Sequence, residues 1–228
     1  MKVMILAAGR GERMRPLTDK CPKPLLRVGG KPLIAWTMER LAKAGFHDVV
    51  VNHAYLGRMI ERVLDKGKPW GMHVEYSPEE EALETAGGIA KALPLLGDAP
   101  FMVVNSDVYC DLNFESFAMR GLTKLTQGKH AHLAMIANPA HHPTGDFALK
   151  ENGLLSRNDE PRLTFAGIGV YRPELFAHIA GGTKAQLAPI LIAAMEKSLV
   201  SGEHFKGRWV DVGTPERLKE LDAALKTA

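Results

Sequence analysis

The sequence predicts an α/β fold: one domain with a mixed but mostly parallel sheet and helices on both faces. Three observations predict it. Short apolar runs of strand length recur at residues 3–6, 49–51 and 101–104, and strands apolar throughout are those buried on both faces. Segments of helical period lie between them. Turn-rich or polar stretches follow the first and third runs, where a doubly wound, Rossmann-like sheet opens its ligand crevice.

Residues 2–7 read as the first buried strand, followed at once by a glycine-rich loop. Residues 32–44 read as a helix, with Pro32 in its first turn and Gly45 past its end, the places each residue favours. Residues 48–52 are the next buried strand. Residues 56–64 have helical period, with Ile60, Val63 and Leu64 on one side. A short strand at 73–76 precedes a helix of small residues at 85–93, which Pro94 is expected to end. Residues 101–105 are the third buried strand. Right-handed crossovers gather the strand C-termini on one edge, so the loop at 9–15 and the segment 105–107 face one crevice. The second half is less regular. Residues 131–137 and 163–171 read as strands and 186–197 and 215–226 as helices, with a polar, turn-rich stretch at 150–162. No repeat, low-complexity tract or linker interrupts the 228 residues, so a single domain is the simplest account, with a division between halves near residue 110.

The composition, 46% hydrophobic and 24% charged, is that of a globular chain able to bury a core without disulfides. A formal charge of +3 suits an anionic ligand. It lacks the dense basic stripe of a nucleic-acid binder. The apolar run at 3–8 is too short for a secretory signal core, and nothing approaches the ~20 apolar residues of a membrane-spanning helix. Cys21 and Cys110 have neither paired nor metal-ligand spacing and read as reduced thiols. These features point to the cytoplasm, with no nucleic-acid, membrane or obligate protein partner.

The chemistry is concentrated in a few stretches. Residues 6–18 read LAAGRGERMRPLT; small residues there let backbone N–H groups approach phosphate oxygens, and Arg13 adds a planar, multi-donor cation. The loop is not a Walker A motif, since no Gly-Lys-Ser/Thr follows, and Met14 stands where a dinucleotide fingerprint needs its third glycine. That omission makes a nicotinamide-dependent dehydrogenase a poor reading. Residues 22–26 read PKPLL and residues 29–34 GGKPLI, so prolines stiffen the backbone on both sides of Lys23. Asp107 ends the third strand, a place for a carboxylate that holds Mg²⁺ over phosphates. Residues 208–216 read RWVDVGTPE; Thr214 and Pro215 suit a helix start and leave Asp211 for chemistry. His141 and His142 are adjacent, but neighbouring side chains of an extended chain diverge, and no third ligand stands at zinc spacing.

The ordered series at 6–18, 22–26, 29–34 and 208–216 resembles the sugar-1-phosphate nucleotidyltransferases, a family with a GT-A-like fold. The resemblance implies that Ala8, Gly9, Gly11, Glu12 and Arg13 wrap a nucleoside triphosphate and that Lys23 neutralises its α-phosphate. Arg13 and Lys23 are then the catalytic cations. It makes Asp107 and Asp211 the Mg²⁺ ligands and residues 80–88, EEALETAGG, the base-recognition stretch. Glu80 would touch the base edge while Gly87 and Gly88 let the base lie on the backbone. Asn105 and Asp146 would bind the sugar. Residues 84–88, 138–147 and 201–205 are similar to members acting on N-acetylmuramic acid α-1-phosphate, which implies UTP as donor and a place in peptidoglycan recycling. Mannose or glucose 1-phosphate with GTP or dTTP is the alternative pair, and a non-catalytic nucleotide-binding regulatory module the alternative class. Two features depart from the family pattern. Ser106 replaces a glycine before the metal-binding Asp, and Asp159-Glu160-Pro161-Arg162 lacks the lysine that usually holds the sugar phosphate.

Overall fold

The computed structural model describes residues 1–226. In its first half, β1 (Val3–Leu6) leads through three single 3-10 turns to the short hairpin β2 (Arg27–Val28) and β3 (Lys31–Pro32). Then come α1 (Leu33–Lys43), β4 (Asp48–His53), α2 (Gly57–Leu64), β5 (His73–Pro78), α3 (Glu84–Leu96), β6 (Phe101–Asn105) and β7 (Val108–Cys110). The second half has α4 (Phe114–Thr126), β8 (Ala131–Ile136), β9 (Phe147–Leu149), β10 (Leu155–Ser156) and β11 (Arg162–Tyr171). It closes with α5 (Leu187–Glu196), β12 (Val200–His204), β13 (Trp209–Asp211) and α6 (Pro215–Lys226).

One nine-stranded sheet spans the chain in the order β10-β9-β11-β6-β1-β4-β5, with β8 joined to β11 and β12 to β8. β1 pairs in parallel with β4 and β6, and β4 with β5. β11 runs antiparallel to β6 and β8, which makes the sheet mixed. Alternation along the strands assigns the two cores. Val3, Ile5, Val49 and Val51 face Ile34 and Met38 of α1, Ile60 of α2 and Phe117 of α4. Met4, Val50, Phe101 and Val103 face Ile89 of α3 and Leu191 of α5. Burying every side chain on both faces explains the unbroken apolar runs. A third cluster brings Leu218 and Leu221 of α6 back against Val28, Leu33 and Tyr109, so the end of the chain braces the segment after β1.

The mixed, mostly parallel single-domain sheet is the one the sequence predicts. The short strands β2, β3, β9, β10 and β12 were not predicted, and three further details differ. α3 runs through Pro94 to Leu96, because the proline sits in the last turn, where Leu96 is buried and the Gly97 N–H still reaches Leu93 O at 2.8 Å. α4 escaped prediction although Asn113 caps it, its side chain accepting from the Ser116 N–H at 2.9 Å. The ribbon strands β7 and β13, three residues each, are too short for a periodic signal. Both cysteines are free, and burial pushes the Cys110 thiol up to about 11. No helix of the described residues is long and apolar enough to cross a membrane.

Candidate active site

The loop after β1 turns over the sheet's C-terminal edge and lines a cleft of ≈ 450 Å³. Its first residue is fixed from below: the Ala7 N–H donates to Asn52 Oδ1 at 2.9 Å. Gly11 turns the loop in the left-handed region, φ 70°. A Cβ there would lie 3.1 Å from Lys23 Cβ and from Thr18 Cγ2, so glycine is needed for both conformation and room. Thr18 Oγ1 donates to Gly11 O at 2.8 Å and holds the turn. Glu12 is spent on its neighbours, pairing with Arg10 at 2.7 Å and Arg15 at 3.2 Å. Arg13 lines the cleft, and no hydrogen bond or ion pair joins its guanidinium to another described residue.

Lys23 opens a 3-10 turn between Pro22 and Pro24. Only 13% of its side chain is exposed, and its ammonium pairs with Asp107 Oδ2. Asp107 stands between β6 and β7. β7 pairs antiparallel with β13, register Asp211↔Val108, and the Val212 N–H donates to Asp107 O at 2.8 Å. This ribbon sets Asp107 and Asp211 on one lobe of the cleft. Asp211 Oδ1 accepts from Arg217 Nη1 at 2.5 Å, and His141 Nε2 stands 3.0 Å away. Each carboxylate is thus held by a cation of the chain itself. The pair fits Mg²⁺, which takes oxygen ligands, one or two of them carboxylates, and completes its shell with phosphates and water.

Asn105 ends β6 and lines all three lobes of the cleft. Room for it comes from a bulge in β11, where the register with β8 shifts between Phe165 and Gly169. A Cβ on Gly167, φ 72°, would fall 2.5 Å from Asn105 Nδ2. Trp209 Nε1 donates to Ala166 O at 2.9 Å and pins the bulge. Asp146 lies between the second and third lobes. Its Oδ2 accepts from the Phe165 N–H at 2.8 Å and its Oδ1 lies 3.0 Å from His142 Nε2. The adjacent histidines do diverge, His141 to Asp211 and His142 to Asp146. Glu160 stands at the place of the absent lysine, and Arg162 beyond Pro161 turns to it at 3.1 Å.

The base-recognition stretch needs correction in its particulars. Glu80 is exposed and does not line the cleft; its neighbour Glu79 is the buried one. Glu79 Oε1 accepts from Asn52 Nδ2 at 2.7 Å and Oε2 from the Leu83 N–H at 2.8 Å. Gly87 and Gly88 also lie off the cleft lining. A Cβ on Gly87 would meet Thr183 O at 2.2 Å, and one on Gly88 would meet Glu79 Oε1 at 2.8 Å. These glycines let α3 pack against chain and carboxylate. Ala82, Glu84 and Thr85 form the wall itself.

Ala8, Gly9, Gly11, Glu12, Arg13, Lys23, Asn105 and Asp107 therefore share the first lobe, and Asp146 and Asp211 the adjoining ones. Sequence reasoning passed over Asn52, Gly167 and Arg217. The rule that strand C-termini face the crevice would have found Asn52 at the end of β4, as it found Asn105. Nothing in a single sequence marks Gly167, whose role comes from Asn105 far along the chain, or Arg217, whose side chain reaches Asp211 and His141 only once β13 and α6 are in place.

Comparison with known proteins agrees with this geometry. The chain matches the Nucleotidyl transferase family over residues 2–228. It is 53% identical over 226 residues to an N-acetylmuramate alpha-1-phosphate uridylyltransferase of Neisseria meningitidis serogroup B, covering 98% of this chain and 97% of that one. It is 33% identical over 236 residues to a protein of the same name from Caulobacter vibrioides, covering 99% and 97%. Among solved structures it resembles HddC from Yersinia pseudotuberculosis complexed with GMP-PN, with a TM-score of 0.81 at 21% identity over 99% of both chains, a likeness of fold. Family match, long relatives and cleft agree: the chain belongs to the nucleotidyl transferase family.

Proposed function

We propose that the chain transfers a uridylyl group from UTP to N-acetylmuramic acid α-1-phosphate, releasing pyrophosphate, in cytoplasmic recycling of peptidoglycan sugar. The observation that carries the reading is one cleft where Arg13 and Lys23 meet two carboxylates on a common ribbon. The 53% identity to the meningococcal uridylyltransferase supports the choice of UTP and acceptor. The half up to about residue 110 takes the nucleotide and the remainder the sugar phosphate. A phosphate oxygen of the acceptor attacks the α-phosphorus of UTP, the P–O bond to the β-phosphate breaks, and pyrophosphate departs. The attacking oxygen is already ionised at neutral pH, so the chain supplies position and charge rather than a general base.

Arg13, without a partner among the described residues, is ready for the leaving pyrophosphate. Lys23 exchanges Asp107 for the α-phosphate. Asn105 and Asp146 hold the acceptor's hydroxyls. Asp107 and Asp211 would hold Mg²⁺, which neutralises phosphate charge when bound. Pyrophosphate release, measured with Mg²⁺ and UTP, with and without N-acetylmuramic acid 1-phosphate, tests the reading. Release only when both substrates are present supports it. Release with mannose or glucose 1-phosphate and GTP or dTTP instead would discard the substrates and keep the reaction. Silence with every pair would point to a regulatory module.

A further inference from the structure

Glu84 occupies an unusual place. It opens α3 with φ 62°, one of five non-glycine residues with positive φ. Of the five, only Glu84 lines the cleft. A left-handed conformation is unfavourable for a residue with a Cβ, and such strain is retained where function over-determines it. With Thr85 and Asn105 it lines both the first lobe and the second. Its exposed carboxylate makes no hydrogen bond or ion pair with another described residue.

We propose that the Glu84 carboxylate binds a sugar hydroxyl where the two substrates meet, which rests on the uridylyl-transfer reading of the cleft. A carboxylate only accepts hydrogen bonds. Like charge bars it from the phosphates, which belong with Arg13 and Lys23 of the β1 side. The wall that Glu84 shares with Asn52, Ala82 and Thr85 carries no cation. Three kinds of donor face such a carboxylate: the uracil N3–H, the acetamido N–H and the sugar hydroxyls. At the border of a nucleotide lobe and a sugar lobe, away from the base end of the nucleotide, the hydroxyls of the ribose or of the acceptor ring are the most numerous.

The test pairs Glu84→Gly, which frees the backbone, with Glu84→Gln, which keeps an acceptor oxygen. KM is measured for UTP, 2′- and 3′-deoxy-UTP and the acceptor, and Tm for each protein. Glu84→Gly is expected to keep or raise Tm and to raise one KM about ten-fold, with partial rescue in Glu84→Gln. A ribose contact closes the gap between UTP and a deoxy analogue; an acceptor contact raises the acceptor KM alone. Unchanged KM values, or an equal rise for UTP and both deoxy analogues, would overturn the proposal. So would a Tm lowered by several degrees with kcat falling and KM constant. Failure of the uridylyl-transfer reading shows separately, as absent turnover by the wild type. Titration calorimetry with UTP and with the acceptor sugar phosphate then reads the contact: a weaker Kd for either in Glu84→Gly supports it, and common Kd values for both overturn it.

Discussion

At the scale of single residues, the cleft holds a lysine and two carboxylates already paired within the chain. Lys23 is bound to Asp107, and Arg217 with His141 to Asp211. Asp107→Asn keeps an oxygen and the shape but loses the charge. It is expected to fold with near-wild-type Tm while kcat falls by roughly 10²–10³-fold, the cost of removing one strong electrostatic contact to a developing charge. Steady-state rates alongside circular dichroism check this, and near-normal turnover in the folded variant contradicts Asp107 as a metal ligand. The loop after β1 was legible in the sequence as a lining of the cleft because its residues are contiguous. Glu80 could not be told from Glu79 and Glu81 in the sequence, because three consecutive glutamates look alike until burial distinguishes Glu79.

At the scale of elements, close packing of α3 fixes the wall of the cleft. The N–H groups of Ala86 and Gly87 both donate to Ala185 O, at 2.9 and 3.1 Å. Gly87→Ala would drive a Cβ into the Thr183 carbonyl. The backbone must shift, at a cost of about 1–3 kcal/mol typical of overpacking. A Tm lowered by about 2–4 °C per kcal/mol is the expected result, read by thermal unfolding; an unchanged Tm means the segment 183–185 yields freely. Strands buried on both faces announced themselves through apolar runs, so β1, β4 and β6 were legible. β7 and β13 were not, since their pairing joins residues about a hundred positions apart.

At the scale of the whole molecule, a polar network, buried at His132 and Ser201 and open to solvent at Arg120, ties α4 and the edge of the sheet together. His132 of β8 lies between Ser201 Oγ at 2.9 Å and Glu203 Oε2 at 3.2 Å on β12, and Arg120 of α4 grips Glu203 with two nitrogens. Burial alone would raise the Glu203 carboxyl, but hydrogen bonds from Arg120 and His132 outweigh it and hold the group at about 2. A depressed carboxyl stabilises the fold above its unfolded value, near 4.5, and that contribution is lost as pH falls toward 2. Glu203→Gln is therefore expected to be less stable than wild type by about 1–3 kcal/mol at pH 7, with the gap narrowing between pH 4.5 and 2. Urea unfolding across that range checks it, and a gap independent of pH contradicts it. The network was invisible in the sequence because 69 residues separate His132 from Ser201, whereas the sheet class followed from local pattern alone. The central claim, that this cleft passes the uridylyl group of UTP to a sugar phosphate, is tested most directly by label transfer. With [α-³²P]UTP, N-acetylmuramic acid 1-phosphate and Mg²⁺, the label should appear in a sugar nucleotide, while a γ label should leave in pyrophosphate. An α label that stays in UTP or emerges only as UMP would contradict the account.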